Sequence, residues 1–460
     1  MAEIVVVGAG ISGLASAARL ATIGHRVTVC EAAATYGGML GRYQRDGFAF
    51  DTGPALLTLP AVYRDLALKT GREPLEQLVD LSPVDPESLH LFADGSRVLL
   101  PNASRGRVGQ ALDGAFGAGA GERWGEVMNR GRAVWEATRR PLLEEPLPAD
   151  TRALRTDPYP AAPRRGLGRL LGGAPPTLAQ VATRELGGHP ALTALLEEYA
   201  LRFGFDPRTV PAGATVIPYM EQSFGVWYVR GGIRALAEAV YRRCEQRGVT
   251  FRFNTRVKRD PSETLALRPA PGDPTLPGRV SVLLALRGAR PAGTPVRTVV
   301  HAADRAEELA ALFGPTPRLC ERPTVQVLRP DDSSLLPDEE HETVTLTVTV
   351  PSQARLDWTA PGVAEAFADR LLAHVDAAGL GLGERVLWRV VRTPADTERE
   401  TSTPGGAVPR PALAGAGGAF LLAANADGAG YRIGGAAHPG GGLARAGMSA
   451  CVTAGLIGPA

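Results

Sequence analysis

Lysine is nearly absent. Lys69 and Lys258 are the only two in 460 residues, so arginine carries almost all the positive charge. Alanine, glycine and proline are abundant, and the whole bias reads as G+C-rich codon usage, so no function is drawn from the arginines as a group. The net charge is only +2, which argues against a general nucleic-acid binder. Cys30, Cys244, Cys320 and Cys451 are scattered, without metal-ligand spacing and too few for a disulfide framework, so a reducing cytosol is the expected compartment. No apolar run approaches the ~18 residues of a membrane span, and no basic segment with a long apolar run follows Met1, so no signal peptide is expected. No Ser/His/Asp arrangement and no metal cluster is legible.

The hydrophobic content of 44% fits a full core, and the length implies two or three lobes. Ile4–Val7 reads as a buried strand, Gly8-Ala9-Gly10-Ile11-Ser12-Gly13 follows, Leu14–Leu20 reads as a helix, and Arg26–Cys30 as a second strand tipped by Glu31. In this βαβ unit Gly8 permits the turn, Gly10 lets a pyrophosphate approach the backbone, and Gly13 lets helix and strand pack closely. The helix N-terminus faces the phosphates, and Glu31 is placed for a ribose hydroxyl. The fingerprint predicts a dinucleotide without separating FAD from NAD. Gly37-Gly38-Met39 and Arg42 follow the second strand, where a glycine doublet reads either as a plain hairpin loop or as backbone crowding a bulky ligand.

Val5–Leu20, Gly37–Gly38 and the segment DGFAFDTGPALLTLP (Asp46–Pro60) give the chain its likeness: it resembles the bacterial phytoene desaturase family of FAD-dependent carotenoid desaturases, within the flavin amine oxidase superfamily. The resemblance implies that the segment containing Gly53 and Pro54 passes along the flavin, and that the backbone of Val257 touches adenine. Met39 stands where the superfamily often has arginine, with Arg42 the nearby cation. A second similar stretch, Pro218–Gly232, contains Glu221, Phe224, Trp227 and Tyr228. The three aromatics read as lining an apolar substrate tunnel or as packing between lobes, and Glu221 is the one ionisable candidate near the reacting carbons.

The intervening chain shows a hairpin about Asp94-Gly95, helical spacing over residues 108 to 145, and a helix over Pro190–Phe205. Further on come a helix over Ile233–Arg247, strands at Val249–Phe253, Arg279–Leu286, Val296–Ala302 and Glu342–Val350, and a helix over Val363–Ala378. Between Pro141 and Pro176 the chain is basic, with Arg152, Arg155, Arg164, Arg165 and Arg169 around Leu167, Leu170 and Leu171. It reads as a solvated linker or as a segment resting on an anionic bilayer surface.

Near the C-terminus Tyr431–Ile433 reads as a strand, Gly434–Gly442 (GGAAHPGGG) as a loop, and Leu443–Ile457 as a helix. The match of AAHPGGG to the desaturases implies that Gly435, His438, Gly441, Gly442 and Leu443 close over the flavin of FAD. There the helix N-terminus would stabilise charge on the reduced ring, with His438 polarising the flavin or shaping the loop. Gly441→Leu is expected to spare the fold and impair the flavin site.

The expected fold is α/β: a Rossmann-like FAD-binding lobe from discontinuous segments (1–85, 215–312, 405–460), a mixed α+β substrate lobe (313–404) and a helical subdomain that shares in the substrate lobe (86–214). The expected activity is FAD-dependent desaturation of phytoene or a related carotenoid at the cytosolic membrane face, with oxygen or a quinone taking the electrons. A later-step carotenoid 3,4-desaturase or terminal-methyl oxidase, a flavin amine oxidase, and an inactive flavin-holding protein remain the alternatives. Residues 315 to 404 are shorter than in the family.

Overall fold

The computed structural model describes residues 1–160, 175–257, 265–427 and 430–460. Two sheets organise it. The first has six strands in the order Thr250–Arg252, Arg26–Cys30, Glu3–Val7, Leu265–Pro269, Gly430–Ile433 and Ala426–Asp427. All neighbours are parallel except the last pair. Ile4 and Val6 are buried, and the helix Ile11–Thr22 lies against the sheet with Leu14, Ala15, Ala17 and Ala18 fully covered. Its small residues admit two helices, Arg234–Gln246 and Leu443–Ile457, at close range. The Cys244 thiol donates to the Leu14 carbonyl at 3.2 Å, and the Tyr63 hydroxyl donates to the Leu443 carbonyl at 2.8 Å. The C-terminal helix is thereby built into the core of the first lobe.

The second sheet has seven strands, in the order Val386–Arg392, Gly278–Arg287, His341–Val350, Val325–Leu328, Arg297–Val300, Ser88–Leu91 and Arg97–Leu100. Only the pair 297–300 with 88–91 is parallel. Side chains alternate between its faces with period two. Val280, Val282 and Leu284 of one strand and Val344, Leu346 and Val348 of the next pack on the helix Val363–Ala377 through Phe367 and Leu371. The alternate positions, Arg279 and Ser281 on one strand and Thr345, Thr347 and Thr349 on the next, face the interior of the molecule.

The strands at 279–286 and 296–302 were expected to complete the nucleotide lobe (215–312), but both belong to the second sheet. The physical reason is visible in the residues. A parallel strand covered on both faces is apolar throughout, whereas Arg279–Val282 alternates polar and apolar. The nucleotide sheet instead takes Leu265–Pro269, a strand that the sequence reading missed. The hairpin 88–91/97–100, expected in the helical and substrate segment 86–214, is the far edge of the second sheet. The helical stretch 108–145 is two helices, Arg105–Phe116 and Ala120–Arg139, broken at Gly117–Gly119 and followed by one wider turn at Arg140–Glu144. Among the described residues no helix is long and apolar enough to cross a membrane. The arginines and leucines from Arg164 to Leu171 lie outside the described residues.

Candidate functional site

One cavity of about 1530 Å³ runs from the first glycine turn, past the C-terminal glycine loop, to the inner face of the second sheet. That exceeds the ~300–1,000 Å³ of an ordinary small-molecule pocket, leaving room for a dinucleotide and a further ligand. At the nucleotide end, Gly8 has φ +95°, a backbone state that only glycine adopts freely. A Cβ built on Gly10 meets no protein atom within 4 Å, so the backbone there faces open space at the helix N-terminus. Glu31 accepts from the backbone N–H groups of Ala9 (2.6 Å) and Ala33 (2.8 Å), which fixes the turn while its carboxylate lines the cavity.

Gly37 and Gly38 line the same cavity, but the protein itself requires them small. A Cβ on Gly38 would press on the Cα of Gly10 at 3.1 Å, and one on Gly37 would overlap the Arg234 guanidinium. Arg234 is a residue the sequence reading missed. It donates to the carbonyls of Tyr36 and Leu40, stands 4.1 Å over the Tyr36 ring, and so clamps the loop. Its own helix is started by Asp51, which accepts from Ile233 N–H at 2.9 Å. Burial, opposed by those backbone bonds, raises the Asp51 carboxyl to about 6. Arg42 lines the cavity and donates to the Gly231 carbonyl.

Gly8, Gly10, Ile11, Ser12, Gly13, Glu31, Gly37, Gly38, Met39, Arg42, Gly53, Pro54, Gly435, Gly441, Gly442 and Leu443 all lie on this one cavity wall. Val257 and His438 do not. Val257 is half-buried beside Arg256, which does line the cavity. His438 is fully buried behind the glycine loop, its Nε2 3.0 Å from the Glu145 carbonyl. Its part is therefore to shape the loop rather than to polarise a flavin. Gly441 also differs from expectation: a Cβ there would overlap the Pro409 carbonyl oxygen, so a leucine distorts the loop itself instead of sparing the fold.

The aromatic trio is likewise placed elsewhere. Phe224 packs on Trp135 with centroids 5.5 Å apart, Trp227 donates to the Phe224 carbonyl at 3.1 Å, and Tyr228 donates to Asp332 at 2.9 Å. None of the three lines the cavity. Phe224 ends the helix Val216–Phe224, and the short strand Val226–Val229, paired between Leu56–Thr58 and Leu81–Pro83, turns Trp227 and Tyr228 into inter-element packing. The apolar wall is built instead by Leu201, Phe203, Phe205, Ile217, Met220 and Phe420.

Glu221 does reach the cavity, inside a buried ion cluster. It accepts from Arg202 at 2.5 Å and from Arg297 at 2.8 Å, and Arg297 also reaches Glu87 and Glu198. Burial alone would raise the Glu221 carboxyl, but the Arg202 and Arg297 charges overcome it and hold it well below the usual carboxylate range. A carboxylate so acidic neither donates a proton near neutrality nor serves as an effective base, so Glu221 acts as a counterion. Its neighbour Glu87 is pushed well up by burial and by the Glu221 charge.

A second cavity carboxyl, Glu308, accepts from Thr324 N–H (2.6 Å) and from the Thr324 hydroxyl (3.0 Å). Burial raises it to about 7 from 4.5. A carboxyl raised in the folded state contributes stability below pH 4.5 that is lost as the pH rises through about 7. Glu308→Gln still accepts from Thr324 N–H, can donate its amide N–H to the Thr324 hydroxyl oxygen, and removes the charge, so urea midpoints at pH 5 and pH 8 should show the variant gaining about 1–3 kcal/mol on the wild type at the higher pH. Equal midpoints at pH 8 would remove Glu308 from the ionisation balance.

A phosphate cradle open at Gly10, a carboxylate at the ribose position and a second glycine loop leading into a helix N-terminus together fit FAD, and they define a dinucleotide-dependent oxidoreductase site. The chain belongs to the flavin containing amine oxidoreductase family, whose model matches residues 11–259. It is 29% identical over 256 residues, 55% of this chain, to a 4,4'-diapophytoene desaturase (4,4'-diaponeurosporene-forming) of Staphylococcus haemolyticus, covering 49% of that protein. It is 28% identical over 286 residues, 61% of this chain, to a carotenoid 3,4-desaturase of Haloarcula japonica, covering 55% of that protein. The chain thus spans about half the length of the curated relatives it matches. A putrescine oxidase variant shares the fold over 99% of both chains, with a TM-score of 0.60 at 14% identity.

Proposed function

We propose that the protein is a FAD-dependent desaturase of phytoene or a related carotenoid. The observation that carries the reading is the single cavity in which the nucleotide cradle, the closing loop at Gly434–Leu443 and a chamber under the second sheet are continuous. The similarity to desaturases of isoprenoid chains supports the choice of substrate. When bound, FAD supplies the hydride acceptor for dehydrogenation of a CH–CH bond. The chain's own residues supply position and field. Gly8–Gly13 hold the pyrophosphate, and Glu31 the ribose. The first turn of the helix Leu443–Ile457 presents unpaired N–H groups and a positive dipole end to the cavity. Phe203, Ile217 and Met220 keep that region apolar and exclude water. No side chain is needed as a nucleophile.

The same reading places the protein peripherally on the cytosolic face of a membrane, where a lipid-soluble substrate enters, with oxygen or a quinone as the final electron acceptor. It is supported by the nature of the substrate and by the basic stretch that includes Arg152 and Arg155. Expression in a host that accumulates phytoene should shift its pigments to more desaturated carotenes. Purified protein should bleach anaerobically when mixed with carotene in liposomes. An unchanged pigment profile together with a flavin that only an amine bleaches would overturn the reading in favour of an amine oxidase.

A further inference from the structure

The inner face of the second sheet is polar where a hydrocarbon chamber has no use for polarity. Register across four strands aligns Gln326, Thr347, Ser281 and Arg392 in one row, and all four line the cavity. Two residues along, Thr349 and Arg279 form the next row. Gln326 donates to Glu198 at 2.6 Å and Arg392 is paired with Glu400. The hydroxyls of Ser281 and Thr347 have no hydrogen-bond partner among the described residues. Arg279 donates to the Arg202 carbonyl at 2.5 Å and makes no ion pair with any described carboxylate, although its neighbour Arg202 is paired with Glu221. Burial and the Arg202 charge outweigh the attraction of Glu198 and pull the Arg279 guanidinium down to about 10, the direction expected of a desolvated cation with no carboxylate in contact.

A guanidinium has five donors in a planar fork that matches a carboxylate, and Arg279 uses one of its hydrogen-bonding nitrogens here. Leu201, Ile217 and Met220 line the same cavity as this polar floor, so the chamber has both apolar and polar walls. We propose that the chamber takes a polyisoprenoid bearing a terminal carboxylate, with Arg279 as its counterion and Ser281 and Thr347 as hydrogen-bond donors beside it. This rests on the desaturase reading for the chain part of the substrate, and adds the class of its end group.

The test uses the FAD-loaded protein with β-apo-8′-carotenoic acid and its methyl ester, the affinity of each read from quenching of tryptophan fluorescence. The acid is expected to bind at least about tenfold tighter than the ester, the gain of one charge-assisted contact. Arg279→Gln should bring the two affinities together, while Arg279→Lys should restore part of the difference. Equal affinities in the wild type, or a difference that survives in FAD-replete Arg279→Gln, would overturn the assignment. Should Arg279→Gln lose its flavin, Ser281→Ala combined with Thr347→Val decides instead, with an unchanged acid-to-ester ratio counting against the proposal. The two readings fail separately. Flavin reduction by the ester with no preference for the acid keeps the desaturase and removes the carboxylate site. Preference for the acid without flavin reduction by any polyene does the reverse.

Discussion

Gly10→Val is expected to yield a folded protein that binds FAD at least about 100-fold more weakly, the loss of two charge-assisted hydrogen bonds at ~1.5–3 kcal/mol each. The backbone at Gly10 has φ −67° and ψ 170°, an extended conformation that valine favours. No protein atom stands within 4 Å of the new Cβ, so nothing in the fold resists it. The side chain would project into the space that a pyrophosphate must occupy against the helix N-terminus. Circular dichroism should match the wild type while the flavin absorbance of the purified protein is lost. Gly13→Val makes the contrast, because its Cβ overlaps the Gly8 carbonyl oxygen and the lesion falls on the fold. Stoichiometric FAD in the Gly10 variant would sink the assignment of this turn to the cofactor.

Arg297→Met is expected to destabilise the protein by about 3–5 kcal/mol, the usual penalty for removing one partner of a buried ion cluster. Arg297 is 4% exposed and reaches Glu221, Glu87 and Glu198 together. Without it Arg202 remains beside Glu221, while Glu198 and Glu87 stay buried with no guanidinium bridging them. The midpoint of urea unfolding should fall accordingly, and the loss should be smaller at acid pH, where the stranded carboxylates take up protons. A midpoint within error of the wild type at neutral pH would mean that the cluster is solvated in solution.

The nucleotide end was legible in the sequence because its residues act locally. The turn Gly8–Gly13, the small-residue helix after it and Glu31 sit within one βαβ unit, so spacing alone carries their geometry. The helix Leu443–Ile457 was legible for the same reason, its start marked by the glycine loop before it. The substrate end was not. Arg234 touches Tyr36 and Leu40 from nearly 200 residues away, and the row Gln326, Thr347, Ser281 and Arg392 exists only once four strands are in register. Phe224, Trp227 and Tyr228 are aromatic, but hydrophobicity does not say which face of a helix end or of a short strand meets a cavity. The one available signal was the polar alternation of Arg279 and Ser281 within an otherwise apolar strand.

The first glycine turn and the glycine loop Gly434–Gly442 stand more than 400 positions apart in the chain, yet they border one space. During synthesis at ~5–20 residues per second, the glycine turn exists long before its lid does. With the loop closing the flavin end as proposed, cofactor capture is a late event that waits for residues 434–443 and the docking of the helix after them. Once seated, the ligand bridges early and late segments and stabilises their union by mass action. Retention of flavin then reports that the early glycine turn and the late glycine loop have come together.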